Sequence, residues 1–456
     1  GNSNVYRNSA PAIRLDYTNW SSPVAAQNLL AFSPQTLTNR FYVYNPLNGS
    51  IGAYETINPA TNQFTAAKGY LIRTPNNWST TPAVFPGHFT GVLNNGAINI
   101  NAVKGTTTGY NLIGNPYPST INAVDFINAN ISGTGTINTT IDGSLYFWTH
   151  ATPSSPTTGL YPLNNYAKFT KLGGTAAQAG GATPNGIIQV GQGFIVNAVT
   201  NGTVSFRNSM RLINNANQFF KVNNLPAFTA DETIEKHRIW LNLSGDNDAF
   251  SQILIGYMTG ATNNIDYGID AKDFGTAGAS LYNVINDEAY AIQGRAVPFT
   301  ENDIVPLGIN VPAAGNYTLS LDHFDGIFTD NQVIFIKDNV LNTVHNLKTG
   351  NYTFAANEGT FNNRFQLIFK NSILGSIDPA ADNGTISISK TDGVLTVKSS
   401  KENLKSVAVY DLLGRVIYQA DNIDTPLFTA HLMTSKAVLL VKVITQTNQP
   451  IFKKVI

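Results

Sequence analysis

The chain has 456 residues, room for about three domains at roughly 150 residues each, and its 28 basic and 28 acidic side chains cancel. A neutral chain has no field to gather nucleic acid or an anionic membrane, and the absence of cysteine excludes disulfides and thiol chemistry. Only 12% of residues are charged while 42% are hydrophobic, which describes a folded protein with polar turns rather than a disordered one.

The chain opens on GNSNVYRNSA, with no initiator Met, basic n-region or apolar h-region, and so reads as a fragment or processed product of something longer. No run approaches the roughly 18 apolar residues that span a bilayer as a helix. The expectation is a chain that is not membrane-spanning.

Alternation with a period of two begins early and continues almost throughout. RFYVYNP (40–46), GYLIRTP (69–75), SLYFWTH (144–150), HRIWLNLSG (237–245), NYTLSLDHF (316–324), QVIFIKD (332–338) and RFQLIFK (364–370) have the Tyr, Phe, Val and Ile content and the Gly, Asn and Pro borders of strands. One stretch, INAVDFINANI (121–131), predicts a short helix with Ala123, Phe126 and Ile127 on one face. The fold class is all-β: tandem antiparallel β-sandwich domains ending in a small Ig-like β-sandwich.

Two turn-rich composition shifts, at 219–236 and 371–384, place boundaries for a sandwich over 1–222, a jelly-roll-like sandwich over 223–373 and the small sandwich over 374–456. Within the first, WSSPV (20–24), FYVYN (41–45), GYLIRT (69–74) and VFPGHF (84–89) recur in order as GNPYPS (114–119), LYFWT (145–149), GFIVNA (193–198) and VSFRNS (204–209). This reads as an internal two-fold repeat. Gly69 and Gly193 each precede a bulky strand and are read as backbone bends.

Catalytic motifs are missing. The six histidines at 88, 150, 237, 323, 345 and 431 show no metal-ligand spacing, there is no GxSxG elbow, and GGTAAQAGG lacks the GK[ST] ending of a phosphate cradle. Asp322, Asp325 and Asp330 could pair as acid and base, but their spacing equally suits an Asx-rich turn. No cofactor is implied. The one metal worth testing is calcium, with Asp246 and Asp248 of SGDNDAF, and Asp322 and Asp325 of LDHFDGIFTDN, as oxygen ligands. Among the four tryptophans, Trp148 and Trp240 sit inside alternating strands and are expected in cores. Trp20 is the third, and Trp78, in the loop TPNNWSTTP, is the one expected to be exposed, as a glycan platform or a packing lid.

From 384 onward the alternation is cleanest: TISISK, VLTVKS, SVAVYDLLGRVIYQ, PLFTAHL, AVLLVKVIT and PIFKKVI. Leu439, Val441 and Val443 point to one side, Lys442 interrupts the other, and DLLGR closes a hairpin in which Gly414 takes a positive φ. The pattern VxVYDxLGRxIY, then LLVKV and a Lys-rich end, resembles the C-terminal sorting domain of proteins exported by the type IX secretion system of Bacteroidetes, and KKVI is similar to its type C subclass. The preceding stretch, HRIWLNLSG through HNLKTGNYTFAANEGTFNNRF, with YNLIGNPYPSTINAVDF and IQVGQGFIV, resembles the region before this signal in large flavobacterial surface proteins. The common GxY before the penultimate strand is replaced by SKAVLLVKV, which again favours type C.

That resemblance implies passage through the periplasm, recognition by a very large β-barrel translocon and hand-over to a barrel-type shuttle protein. The recognition residues it marks are Tyr410, Asp411, Gly414, Arg415, Leu440, Lys442, Lys453, Lys454 and Ile456. The expected protein is secreted or at the outer cell surface, adhesin-like, not an enzyme, and has no nucleic-acid partner. A glycan-binding module of a surface polysaccharide-utilising system is the alternative, and a hydrolase without recognisable motifs the third reading.

Overall fold

Tyr-rich strands and Asn-capped helices build the first 213 residues twice over. The computed structural model describes residues 1–131, 140–149, 165–213, 234–246, 249–274, 278–370, 386–391, 393–411, 414–432, 438–446 and 450–455. The first copy contains β1 (Ser3–Ala12), β2 (Tyr17–Trp20), α1 (Leu29–Phe32), β3 (Phe41–Asn45), β4 (Ala53–Thr56), β5 (Tyr70–Arg73) and β6 (Ala83–Gly91). The second contains β7 (Ile98–Ala102), β8 (Tyr110–Gly114), β9 (Ile121–Asn122), α2 (Ala123–Asn130), β10 (Ile141–Trp148), β11 (Tyr166–Phe169), β12 (Gly174–Thr175), β13 (Ile187–Ile188), β14 (Gly193–Ala198) and β15 (Gly202–Phe206).

One sheet has the order β2-β5-β3-β4, and the other repeats it as β8-β14-β10-β11 with β12 added at its edge. Beside them β1 pairs with β6, and β7 with β15. Register is shared too. Asn19, Leu71, Tyr42 and Thr56 form one row across the first sheet, and Leu112, Ile195, Tyr146 and Lys168 form the same row across the second.

The helices match as well. Asn28 Oδ1 accepts from Ala31 N at 2.9 Å and Asn122 Oδ1 from Val124 N at 2.8 Å, so each helix has an Asn N-cap. Helices this short do not persist alone and depend on packing. Phe32 of α1 stacks on Phe89 at 4.5 Å, and Phe126 of α2 lies on Phe206 at 4.9 Å.

Reciprocal backbone bonds join the copies: Ser21 N donates to Gly191 O at 2.8 Å, and its counterpart Gly114 N donates to Ala67 O at 2.9 Å. Here the reading of Gly69 and Gly193 changes. Neither has a positive φ; each is glycine because the other copy presses on it. A Cβ on Gly69 would sit 2.7 Å from Ile113 O, and one on Gly193 would sit 3.0 Å from the Asn19 carbonyl carbon.

The next strands are β16 (Lys236–Gly245), β17 (Ala249–Met258), β18 (Ala271–Lys272), β19 (Ser280–Ile285), β20 (Glu288–Arg295), β21 (Ile304–Val311), β22 (Gly315–Phe324), β23 (Phe335–Asp338), β24 (Thr343–Asn346), β25 (Tyr352–Ala356) and β26 (Gly359–Ile368). They form one continuous 11-stranded sheet, from β24 at one end to β25 at the other, where separate jelly-roll sheets were expected. The sheet curls around a core that includes Leu241, Ile255, Leu307, Phe354 and Phe365. Its two ends meet: Thr343 of β24 hydrogen-bonds to the Tyr352 hydroxyl of β25 at 3.0 Å, and that hydroxyl donates to Asp338 of β23 at 3.1 Å.

The boundary expected at 222/223 lies outside the described residues, and the parts on either side of it form a single compact unit, Gly1–Lys370. Trp240 Nε1 donates to Gly174 O at 2.8 Å and Ser144 Oγ to Asp270 O at 3.1 Å. The Lys168–Asp273 ion pair, 3.2 Å long with side chains 4% and 3% exposed, also crosses this junction. Composition marks a change of style at 222, but buried polar contacts of this kind tie the two styles into one body.

Two carboxyls at the junction give it a pH signature. Burial pushes Asp142 up to about 6 and Asp270 up to about 7, from an ordinary value of 3.8. Each holds its proton more tightly folded than unfolded. Their contribution to stability is therefore fully present below about pH 4 and is lost as pH rises through 6 to 7. Melting of the full chain is expected to show the first unit more stable at pH 5 than at pH 8 by about 2–4 kcal/mol. Asp270→Asn should flatten that slope; an unchanged slope would remove Asp270 as its source.

The second unit, Asn371–Ile456, begins close to the expected 373/374 boundary. Its strands are β27 (Ile386–Thr391), β28 (Val394–Ser399), β29 (Leu404–Tyr410), β30 (Val416–Thr425), β31 (Leu427–His431), β32 (Leu439–Thr445) and β33 (Pro450–Val455). A three-stranded sheet, β27-β28-β31, and a four-stranded sheet, β30-β29-β32-β33, share a core that includes Leu395, Val407, Val441 and Val443. The described residues are all-β apart from short helices and helical turns. No helix among the described residues is long and apolar enough to cross a membrane.

Candidate functional site

The alternation of FYVYN and LYFW decides what faces what. Phe41 packs into its own copy's core with Trp20 and Phe32, and Leu145 and Phe147 into theirs with Phe126. Tyr42, Tyr44, Tyr146 and Trp148, one residue out of phase, must point to the opposite face of each sheet. There the two copies enclose a cleft of about 480 Å³, lined by Tyr17, Tyr42, Tyr44 and Tyr54 from the first and Tyr110, Trp148, Tyr166 and Ile195 from the second.

The rows of the two sheets make these residues counterparts: Tyr17 of Tyr110, Tyr42 of Tyr146, Tyr44 of Trp148 and Tyr54 of Tyr166. Their ring geometry agrees. Tyr17–Tyr42 and Tyr110–Tyr146 are both edge-on at 5.9 Å, and Tyr44–Tyr54 and Trp148–Tyr166 both edge-on at 5.1 Å. Where the copies meet, the Tyr54 and Tyr166 hydroxyls hydrogen-bond to each other at 3.1 Å. The Trp148 indole donates to Tyr17 O at 3.1 Å, tying the second copy's largest ring to the first copy's strand.

Among the described residues no lining side chain is charged. Burial pushes the Tyr17, Tyr44 and Tyr166 phenols up to about 12, so they remain neutral hydroxyls near pH 7. An aromatic, uncharged wall with a few hydroxyls suits recognition of a neutral ligand, and the volume falls in the usual range for small-molecule sites, roughly 300–1,000 Å³.

One lining ring has no counterpart. Phe274 follows β18 and enters from the large sheet, lying 4.3 Å from Tyr146, 5.1 Å from Tyr110 and 5.8 Å from Tyr166. The neighbouring Asp273, paired with Lys168, holds it there. The result is asymmetry: Tyr146 is fully buried while Tyr42 is only half-buried.

The residues singled out from the sequence fall elsewhere. Trp78 is half-buried, donates its indole N–H to Ala12 O at 3.0 Å and packs edge-on against Phe85; it is a lid on the first copy's core. Trp240 is core, as expected, with His323 stacked on it at 3.9 Å. Trp148, expected in a core, lines the cleft. The acidic candidates do not converge. Asp325 is held by Arg238 at 2.6 Å, Asp322 by His323 at 2.6 Å, Asp246 accepts from Asn316 N at 3.3 Å, and Asp248 lies outside the described residues. Among the described residues no three His, Asp or Glu side chains form a metal-holding group.

In the second unit, Tyr410, Leu440 and Lys454 form one row across β29, β32 and β33. Leu440 is 39% exposed, so this row and Lys442, two residues along, lie on the outward face. The hairpin after Tyr410 is closed by Gly414 at φ 78° and by Arg415, whose Nε donates to Asp411 at 2.6 Å. Lys453 differs: it is on the inward side, and its Nζ bonds to the Ile386 carbonyl of the other sheet. Ile456 lies outside the described residues.

No curated protein is similar to the chain at a significant level. Residues 374–456 match the family described as Domain of unknown function (DUF8694), and its boundary coincides closely with that of the second compact unit. Residues 1–369 match the family described as Domain of unknown function (DUF8693), which spans both repeats and the large sheet as one domain. The chain belongs to the DUF8693 family.

Proposed function

We propose that this is a secreted or cell-surface, adhesin-like protein that performs no chemistry of its own and is exported as a type IX secretion substrate through its C-terminal unit. The observation that carries the reading is the form of residues 386–455: a compact two-sheet unit with its own core, which displays Tyr410, Leu440, Lys442 and Lys454 on one outward face. These are residues marked by the resemblance to type IX sorting domains. The last strand, β33, is the edge of its sheet and pairs only with β32 among the described residues. An edge strand offers backbone groups to a partner by strand addition, and Lys453 keeps it seated for that contact.

The test is export of a fluorescent reporter fused to residues 371–456 in a flavobacterial host with and without a working type IX system. Secretion that depends on the system is expected, and removal of residues 450–456 should abolish it. Retention of the intact fusion in both hosts would overturn the reading.

A further inference from the structure

Beyond the cleft, one end of the first copy's sheet gathers three guanidiniums. Arg73 of β5 pairs with Tyr17 of β2, and its neighbour Ile72 pairs with Phe41 of β3. Arg40, the residue before Phe41, therefore stands beside Arg73, and Arg14 approaches from the segment between β1 and β2. Burial first, and then the like charges of Arg40 and Arg14, push the Arg73 guanidinium below its ordinary value. Among the described residues none of the three is in an ion pair. Arg40 Nη1 donates to the Tyr42 hydroxyl and Arg73 Nη2 to Asn76 Oδ1, each at 3.1 Å and each a neutral acceptor. The buried Nε atoms of Arg40 and Arg73 have no hydrogen-bond partner. Asp16, the carboxylate nearest in sequence, accepts from Ile13 N at 2.9 Å instead. Like charges held together repel, and a buried donor without an acceptor costs about 1–3 kcal/mol. One bound anion would relieve both.

The second copy shows what occupies the matching corner when it is filled from within. Tyr110 pairs with Asn197 as Tyr17 pairs with Arg73, so Asn197 is the counterpart of Arg73. Ser144 precedes Leu145 as Arg40 precedes Phe41, so Ser144 is the counterpart of Arg40. Between them lies the Asp142 carboxyl, which accepts from Asn197 Nδ2 at 2.7 Å and from Ser144 N at 2.8 Å. Asp142 is two residues before Ser144; two residues before Arg40 is Thr38, which has no carboxyl. The second copy thus combines a built-in acidic acceptor with neutral donors, and the first combines cationic donors with no acidic acceptor.

We propose that Arg14, Arg40 and Arg73 bind a tetrahedral oxyanion, the sulfate or phosphate group of an anionic ligand. Guanidinium forks match the oxygens of such groups, and three forks at one corner suit a group with three or more oxygens better than a carboxylate with two. None of the three arginines lines the aromatic cleft. The proposal is independent of the export reading, because it rests on the first unit alone.

Calorimetric titration of the full chain at low ionic strength, where exposed charges are least screened, tests it with inorganic sulfate, inorganic phosphate, glucose 6-sulfate, glucuronate and glucose. Saturable binding of inorganic sulfate or phosphate, at one ion per chain and weakened by added NaCl, is expected, with no heat from glucose. Equal or tighter binding of glucose 6-sulfate assigns the site to an ester on a sugar; binding of the inorganic ions alone assigns it to the free oxyanion. Arg73→Gln should weaken binding about tenfold or more, the worth of one hydrogen bond to a charged group. Arg14 is exposed, so Arg14→Gln should weaken binding a few-fold with unchanged melting, which guards against misfolding in the buried variant. Arg40→Lys, which keeps the charge and loses the fork, should fall between the natural chain and Arg40→Gln. Absence of saturable heat from every anion up to about 10 mM, undiminished affinity in both Arg73→Gln and Arg14→Gln, or tighter binding of glucuronate than of glucose 6-sulfate and the inorganic ions would each overturn the proposal.

Discussion

Asp338→Ala is expected to destabilise the first unit by about 3–5 kcal/mol, the cost of leaving a buried charge without its partner. Asp338 is 0% exposed and Arg364 7%, and the pair is bonded through Arg364 Nη2 at 2.9 Å and Nε at 3.2 Å. Although burial opposes ionisation, the Arg364 bonds and the backbone N–H groups of Val340 and Leu341 hold the Asp338 carboxyl below its ordinary value. The pair also fastens the ends of the large sheet. Arg364 of β26 donates to Ala355 O of β25 at 3.0 Å, and Tyr352 of β25 donates to Asp338 of β23. Removing the aspartate opens that seam and strands a guanidinium between Phe354 and Phe365, 4.6 and 5.0 Å from their centroids. Urea unfolding checks this. The double variant Asp338→Ala/Arg364→Met should recover a large part of the loss, since an apolar pair of similar bulk carries no stranded charge; a double variant as unstable as the single one would show that charge is not the cause.

Gly69→Val is expected to cost about 3 kcal/mol or more, at the upper end of what overpacking usually costs. Glycine with ordinary negative φ is a position where a side chain commonly stabilises by restricting the unfolded chain, by about 0.4–1 kcal/mol. Here the sign reverses. The first side-chain carbon would lie 2.6 Å from Leu112 Cγ and 2.7 Å from Ile113 O, and the backbone oxygen cannot rotate away. Relief requires separating the copies, which breaks the bonds Gly69 N to Leu112 O and Gly114 N to Ala67 O. Gly193→Ala, whose nearest contacts begin at 3.0 Å, should be milder. Thermal melting ranks the two, and a neutral Gly69→Val would mean that the interface yields more readily than its hydrogen bonds suggest.

Much of the fold could be read from local pattern because strands and helix faces repeat over a few residues. FYVYN, GYLIR and LYFW are strands, Ala123, Phe126 and Ile127 do form the buried face of a helix, and Leu439, Val441 and Val443 are buried together. The four-residue helix at Leu29–Phe32 escaped because one turn has too few residues to show a period. The cleft escaped for a different reason. Alternation says that Tyr42 and Tyr44 share a face, but the opposite wall comes from about a hundred residues away and the plug, Phe274, from further still. The missed signal was in the repeat itself: superposing FYVYN on LYFWT aligns the two aromatic pairs. For Trp78 the sequence left platform and packing lid both open, because a loop tryptophan looks exposed; the carbonyl of Ala12, 66 residues earlier, accepts from its indole and makes it a lid.

The reciprocal stitching of the two copies has the form of an isologous homodimer contact, in which one patch meets its own copy across a two-fold axis. The two reciprocal bonds involve none of the six residues, 92–97, that connect β6 to β7, although Asn94 of this connection also bonds to Ser22 O of the first copy and Pro116 O of the second. Those residues behave as a tether between two preformed partners: cutting them leaves both halves of every reciprocal bond in place. The arrangement is what fusion of a duplicated gene for a self-pairing subunit produces. Fusion frees the two faces to diverge, so that the Tyr146 face takes Phe274 from the large sheet and the Tyr42 face does not, a difference that an assembly of two identical chains is unable to encode.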